Sequence, residues 1–411
     1  MASKDIVLQS ISHKQPEKLP LDLGGTPSSG ICAIGYNKLK TALGISDRNN
    51  KIYDVIQQVT QPELNLLDSL QVDVLCIGRT FNDKPEDWYD ITLSDGSLAQ
   101  YPSWFKPEPI GNGATAAYDE EGMLAVMPKG TTGFDQCVFP YIDGYPDNYS
   151  ELPRAMQKIH WQKFAHSPWD NAAMPDFWNE LRRRALKLRE ESDRALIVTC
   201  GCNLFEWGTF LRRIDNFLMD IYSEPEEVER LLDALMEIHL TSLEKVCAAV
   251  GDVADILRFG DDLGMGSGMF MSREKYQTLF KPRHKKLCEY VHTHSGMKTF
   301  LHTCGSIFPI IGDFVEAGYD IINPVQTSAK DMDPLSLKRE YGKDITFWGA
   351  GCNTQQVLNR AKPDEVYDHT RRMIDIFFKD GGYVFNTVHN ILHDVPAENM
   401  MAMYKAVSEY K

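Results

Sequence analysis

The chain has 411 residues, a formal net charge of -15, 43% hydrophobic residues and 25% charged ones, ordinary values for a globular protein with a sizeable core. So acidic a chain offers no basic face to displace counterions from nucleic acid or to meet anionic lipid, which leaves a small molecule or a protein as the expected partner. Its apolar stretches fall well short of the ~20 residues of a membrane-spanning helix, and the first ten residues show no apolar segment followed by a small-residue cleavage site, so a cytoplasmic protein is expected.

In chain order, residues 19–23 and 72–77 read as short buried strands. The stretch from 90 to 145 then breaks the pattern with Gly, Pro, Asp, aromatics and short alternating runs. It reads as a β-rich insertion over the barrel mouth, one that covers apolar surface or lines a substrate pocket. Apolar runs resume at 195–200, 256–259, 299–301, 320–322, 345–348 and 383–385, with apolar residues at helical spacing over 224–250, 273–295, 306–317, 364–379 and 397–410. Eight strand-like runs alternating with helices predict an α/β fold, a (β/α)8 TIM barrel, formed by one domain spanning 1–411 with the 90–145 insertion.

The nine cysteines show no spaced disulfide framework and are expected as thiols or ligands. Cys76, Cys247 and Cys288, set among Leu, Val and Ala, read as core residues. The segment Phe300-Leu-His302-Thr-Cys304-Gly-Ser is different: alternate residues of a strand share a face, so His302 and Cys304 project together. Imidazole and thiolate suit zinc, although His-X-Cys alone equally describes a buried histidine beside a core cysteine. Phe347-Trp-Gly-Ala-Gly-Cys352 places another cysteine past a later strand, and all strand C-termini of a parallel barrel open on one face. His302, Cys304 and Cys352 therefore predict a catalytic zinc site, three N/S ligands with the fourth position open. Glu206, Asp261, Asp262, Gln326 and His389 lie at the same expected rim as a fourth ligand, a hydrogen-bonding support or an acid/base group, or else as caps and turn residues. Of the adjacent Asp261 and Asp262, at most one can face the site.

Over 19–410 the sequence resembles the uroporphyrinogen decarboxylase superfamily. The resemblance is carried by Leu19-Pro-Leu-Asp-Leu-Gly-Gly, Phe259-Gly-Asp-Asp-Leu-Gly, Phe280-Lys-Pro-Arg-His-Lys-Lys, Phe300-Leu-His-Thr-Cys-Gly-Ser, Ile322-Asn-Pro-Val-Gln-Thr, Phe347-Trp-Gly-Ala-Gly-Cys and Asp394-Val-Pro-Ala-Glu-Asn. It implies the TIM barrel and two candidate chemistries, metal-free decarboxylation of a tetrapyrrole and zinc-dependent methyl transfer involving a corrinoid. Where the decarboxylases carry an arginine clamp for substrate carboxylates, this chain has Leu23-Gly-Gly-Thr-Pro-Ser-Ser-Gly30, without arginine. The His-X-Cys pair resembles the methyltransferase branch, but the thiol-methylating members take their last cysteine from the eighth strand, where this chain has Asn386 and His389. The arrangement is similar to the first methyltransferases of O-demethylase systems. That implies transfer from a small methylated substrate, an aryl methyl ether, to the corrinoid of a partner protein, with zinc as the enzyme's own metal, His302, Cys304 and Cys352 as its ligands and Glu206, Asp262 or His389 as the assisting acid. Trp88, Tyr89, Tyr101, Trp104 and Phe105 are the expected aromatic contacts for an aryl ring or for the corrinoid protein. A methylcorrinoid-to-thiol methyltransferase, a metal-free uroporphyrinogen decarboxylase and a non-catalytic barrel that binds a ligand or corrinoid protein are the alternatives.

Overall fold

The computed structural model describes residues 1–47, 49–78, 84–165 and 176–410. Seven parallel strands, β1 (Val74–Cys76), β2 (Ala195–Gly201), β3 (Ile256–Gly260), β4 (Lys298–His302), β5 (Ile321–Asn323), β6 (Thr346–Trp348) and β7 (Tyr383–Val384), lie side by side in chain order. Residues 19–23 bridge the gap between β7 and β1. Leu21 pairs in parallel with Phe385, Phe385 N donates to Pro20 O at 2.8 Å, and Asp73 N donates to Leu21 O at 2.8 Å on the other side. All eight sequence-read runs thus take their places around one closed (β/α)8 barrel.

The alternation of each strand sorts its residues into two layers. Val74, Ala195, Ile197, Ile256, Phe300, Ile321, Trp348 and Val384 face inward and form one buried cluster with Val7 and Ile11 of helix α1 (Ser3–Ile11), which stoppers the N-terminal end of the barrel. The opposite faces pack on an outer ring of helices. These include α2 (Phe205–Arg212), α3 (Pro225–Val250), α4 (Lys281–His294), α5 (Ile311–Ala317), α6 (Pro334–Tyr341), α7 (Pro363–Phe377) and α8 (Ala397–Ser408). Helix α3 shows why they form: Val228, Leu231, Leu232, Leu235, Met236, Leu243 and Val246 repeat at three- and four-residue steps and are buried, and Pro225 stands in its first turn where a missing N–H costs nothing. The helix expected over 273–295 is divided, with a π turn at Tyr276–Phe280 joining a short helical turn to α4.

The 90–145 insertion is β-rich, as expected. Trp88–Thr92 pairs antiparallel with Leu98–Pro102, and Glu108–Pro109, Thr115–Tyr118, Met123–Met127 and Asp135–Gln136 form a four-stranded antiparallel sheet. A three-stranded antiparallel sheet of Ile31–Cys32, Val59–Thr60 and Ile52–Asp54 precedes it; its strands are too short to show a period of two in the sequence.

Trp348 locks the closure. Its fully buried indole stacks edge-on against Phe300 with centroids 5.4 Å apart, and Nε1 donates to Asp22 Oδ2 at 2.8 Å. Gly25 N donates to the other carboxylate oxygen at 2.8 Å, while burial pushes the Asp22 carboxyl up to about 6. Trp348→Phe is expected to cost about 1–3 kcal/mol, because it strands one oxygen of a buried carboxylate, and Trp348→Ala about 3–5 kcal/mol through the cavity it opens. Equilibrium denaturation checks both; wild-type midpoints in both variants would show that the closure does not depend on this residue.

Candidate metal centre at the barrel mouth

Beyond the packed interior, the same strand faces continue upward as polar residues. On β3 the inward series Ile256, Arg258 and Gly260 leads to Asp262; on β4 it runs Phe300, His302, Cys304; on β5, Ile321 and Asn323. The register places Gly260 beside His302 and His302 beside Asn323. One face of three neighbouring strands therefore carries the site.

Asn323 orients His302. The Asn323 side-chain NH2 donates to Trp348 O at 2.9 Å, so its oxygen faces His302 and accepts from Nδ1–H at 2.7 Å, with Ser28 Oγ a further donor to that oxygen at 3.2 Å. This fixes the tautomer and leaves Nε2 with a free lone pair. Burial, and then the neighbouring Arg258 guanidinium, depress the His302 pKa well below the ordinary value, so the ring stays neutral. Cys304 Sγ lies 3.5 Å from that Nε2. Gly305, at φ +86°, allows the approach: a Cβ there would stand 2.3 Å from the carbonyl carbon of Gly264.

His389 completes the group. It sits past β7 in a loop at φ +70°, held by the bond from Val388 N to Cys352 O at 2.9 Å and by Asn390 Oδ1, 2.7 Å from His389 Nδ1. Ligand atoms of His302, Cys304 and His389 all lie within 4.8 Å of one another, and the imidazoles have centroids 5.6 Å apart. Two imidazoles and one thiol are a donor set that zinc accepts, and three donors are one fewer than a closed structural site uses.

Cys352 is the correction. Its side chain is fully buried in the helix-facing core and interacts with Thr370 of α7, and burial pushes its thiol up to about 12. The expectation rested on Cys352 lying just past a strand whose C-terminal end opens on the same face as that of Cys304. Gly349, at φ +136°, and Ala350, at φ +55°, turn the chain there; Gly349 passes so close to β5 that a Cβ there would stand 2.0 Å from Pro324 O. The turn directs Cys352 outward, and only its carbonyl serves the His389 loop.

The remaining rim residues separate cleanly. Asp262 faces the site, its Oδ1 accepting from Cys304 N at 2.8 Å and lying 3.7 Å from His302 Nε2. Asp261 faces away, accepting the first amides of α2, from Phe205 N at 3.1 Å and Glu206 N at 3.0 Å, with His284 Nε2 at 3.1 Å; it is a helix cap. Glu206, in the first turn of α2, accepts from the Asn203 side chain and from Asp262 N at 3.3 Å. Burial first, then the neighbouring Asp262 and Asp261 carboxylates, raise its carboxyl to about 8. Gln326 lies at the edge, accepting from Gly305 N at 2.9 Å.

His302, His389, Glu206 and Asp262 line a cavity of about 400 Å³. Its aromatic wall is Trp161, Trp178, Trp207 and Phe210. The aromatics expected from the sequence have other work: Tyr101 and Phe105 are buried in a separate small core of the β-rich segment, which Tyr89 and Trp104 pack against, and Trp88 packs with Tyr53 and Val59. Arg258, which also lines the cavity, was missed in the sequence, as was Asn323. The signal was present in strand parity, since Arg258 is four residues before Asp262 on one face of an otherwise apolar run.

Comparison with known proteins agrees with this architecture. A family model described as uroporphyrinogen decarboxylase (URO-D) matches residues 187–410, more than half of the chain and all of the barrel from β2 onward. The chain belongs to the uroporphyrinogen decarboxylase family. Among solved structures, a methyltransferase from Methanosarcina mazei superposes with a TM-score of 0.59 at 14% identity, covering 100% of this chain and 99% of that one, which shows a shared fold. A B12-independent methionine synthase from Shewanella sp. W3-18-1 overlaps with a TM-score of only 0.37 at 11% identity, over 84% of this chain and 83% of that one. No curated protein sequence matches. Among the described residues, no helix of this URO-D family chain is long and apolar enough to cross a membrane.

The placement of Cys352 separates two ligand sets. His302→Ala, Cys304→Ser and His389→Ala are each expected to lower bound zinc about tenfold or more after dialysis, read by elemental analysis, whereas Cys352→Ser leaves it unchanged. Asn323→Ala should weaken zinc binding by about 10- to 100-fold by releasing His302. Equal loss in Cys352→Ser and Cys304→Ser would restore Cys352 as a ligand.

Proposed function

We propose that this chain is a zinc-dependent methyltransferase that moves a methyl group from a small methylated substrate, an aryl methyl ether, to a corrinoid carried by a partner protein. The observation that supports it most is that His302 and His389 of the His302–Cys304–His389 group line a cavity walled by tryptophans. Bound at those three residues, zinc would supply Lewis acidity toward an ether oxygen, which a phenolate leaving group requires at neutral pH. The name of the Methanosarcina mazei structure points the same way.

The chain's own residues have distinct parts in this reading. The tryptophan wall takes the aryl ring and excludes water from it. Asn323 holds His302 in the binding tautomer. Asp262 grips the backbone at Cys304. Glu206, with its carboxyl raised to about 8, holds a proton at neutral pH and can pass it to the departing phenolate oxygen. The partner's cobalt(I) is the co-substrate; as the methyl–oxygen bond breaks, a methyl–cobalt(III) bond forms and the oxygen keeps the electron pair. Tetrapyrrole decarboxylation fits less well, because among the described residues a substrate with eight carboxylates would find only Lys245 and Arg258 as lysine or arginine in the cavity lining.

Mixing the protein, a panel of methoxylated aromatics and a reduced corrinoid protein is expected to convert the cobalt(I) absorption spectrum to that of methyl-cobalt(III). Transfer from a methylated thiol, amine or alcohol but from no aryl ether would overturn the substrate class, and decarboxylation of uroporphyrinogen without methyl transfer would overturn the reaction. The proton donor gives a separate test in the pH profile. A raised carboxyl keeps its acid form below pH 8 and loses it above, so the rate should fall as pH rises through about 8. Glu206→Gln should remove that limb and lower the rate by about 10²-fold or more; an unchanged alkaline limb in this variant would assign it to another group.

A further inference from the structure

Cys200, Cys202 and His239 also line the cavity, and the reaction proposed above uses none of them. Strand β2 ends in a bulge there: Thr199 pairs with Arg258 and Gly201 with the next residue, Phe259, which makes Cys200 the extra residue. Gly201, at φ +69°, and Cys202, at φ +52°, then fold the chain back on itself. On a straight strand two cysteines so spaced would stand about 7 Å apart. Here Cys200 Sγ and Cys202 Sγ are 3.6 Å apart, both as thiols. A left-handed backbone is strained for a cysteine, and this strain is what brings the two sulfurs together.

His239, on α3, makes the two thiols chemically different. Its Nε2 lies 2.8 Å from Asn203 O, an oxygen that can only accept, so this nitrogen carries a proton and Nδ1 is the basic atom of the ring. The ring also hydrogen-bonds Cys202 and is placed to take the thiol's proton. Burial by itself would raise the Cys202 thiol, but the hydrogen bond from Cys200 and then the charge of His239 outweigh it and bring the thiol below its ordinary value. Burial, and then Cys202, hold the Cys200 thiol well above its own. Burial likewise pushes up Cys32, Cys247, Cys288 and Cys352, which have no such imidazole. A thiolate beside an imidazolium, with a protonated thiol in reach, is the arrangement of an attacking and a resolving cysteine.

We infer that Cys200 and Cys202 form a dithiol site for hydroperoxides in the cavity wall, with Cys202 as the nucleophile and Cys200 as the resolving thiol, and that its product is a Cys200–Cys202 disulfide. The Cys202 thiolate attacks one peroxide oxygen; the O–O bond breaks, an S–O bond forms, and the departing oxygen takes the imidazolium proton and leaves as water or an alcohol. Cys200 then attacks the Cys202 sulfur. The S–S bond forms, the S–O bond breaks, and the hydroxide leaves as water with the Cys200 proton. The two sulfurs give up two electrons between them, and the peroxide takes both. A cavity of about 400 Å³ admits so small an oxidant. The inference does not rest on the methyl-transfer reading, since it concerns side chains which that reading leaves idle.

Peptide mass spectrometry of the reduced full-length protein, treated with hydrogen peroxide at neutral pH and then alkylated, reads the site directly. The peptide that carries Cys200 and Cys202 is expected to lose two hydrogens and escape alkylation at least about tenfold faster than Cys137, an exposed thiol without an imidazole partner, is oxidised. Cys200→Ser should stop the reaction at a sulfenic acid on Cys202, captured by dimedone, whereas Cys202→Ser should leave Cys200 reduced. His239→Gln should slow oxidation of Cys202 about tenfold or more without changing Cys137. A wild-type peptide that reacts no faster than Cys137 overturns the inference. So does a dimedone adduct on Cys200 in Cys202→Ser, or an unchanged rate in a folded His239→Gln variant; should a variant not fold, the wild-type rates decide alone.

Discussion

The hydrogen bond from His302 Nδ1 to Asn323 is the interaction on which the rest of the mouth depends. It is possible because β4 and β5 are parallel neighbours in a register that sets the two residues side by side, and it is directional because Trp348 O on the next strand accepts the Asn323 amide. Three consecutive strands thus determine which nitrogen of one imidazole carries the proton. The residue that offers this backbone oxygen also sends its indole N–H across to Asp22, so the seam of the barrel and the orientation of the site share one residue. Loosening the seam would let the imidazole turn, and with it the only lone pair directed at Cys304.

How far the sequence can be read depends on how far a simple period persists. All eight barrel strands were legible, because a buried parallel strand is a short apolar run with few competing readings. His302 with Cys304 was legible because both lie on or just past one strand, whereas parity alone said only that at most one of Asp261 and Asp262 faces the site. Cys352 was expected at the mouth because it lies just past a strand end, but two positive φ angles after Trp348 turn its side chain toward the helices. His389 was named as a rim residue, yet its membership of the candidate metal-binding group depends on a loop pinned to the Cys352 backbone, a pairing between segments that no local pattern encodes. The aromatic contacts were misplaced for a related reason: hydrophobic content shows that Tyr101 and Phe105 are buried somewhere, but not that their partners are Phe134 and Phe164 rather than a ligand.

Charge at the mouth is arranged in layers. Asp261, with the buried His284 behind it, is spent on the start of α2, and this sets where Glu206 enters the cavity. Asp262, one residue later, faces the opposite way and serves the backbone of Cys304. Two adjacent acids therefore position two different functional side chains, one on a helix and one past a strand, through nothing more than the pleat. Burial, and then the neighbouring Asp262 and Asp261 carboxylates, raises the proton affinity of Glu206, and burial, and then the Arg258 guanidinium, depresses that of His302.

The packing of α1 beneath the strands has a consequence for traffic. Val7 and Ile11 fill the N-terminal end of the barrel, both almost wholly shielded from solvent, so among the described residues the interior is closed at that end and the cavity lies at the C-terminal mouth. A docking protein that brings a bulky cofactor to that same mouth would cover the exit of the small molecule beneath it. For the partner proposed above, such a geometry would impose an order of events: the small molecule loaded first, the protein seated over it, and the spent small molecule leaving only after the partner has lifted away.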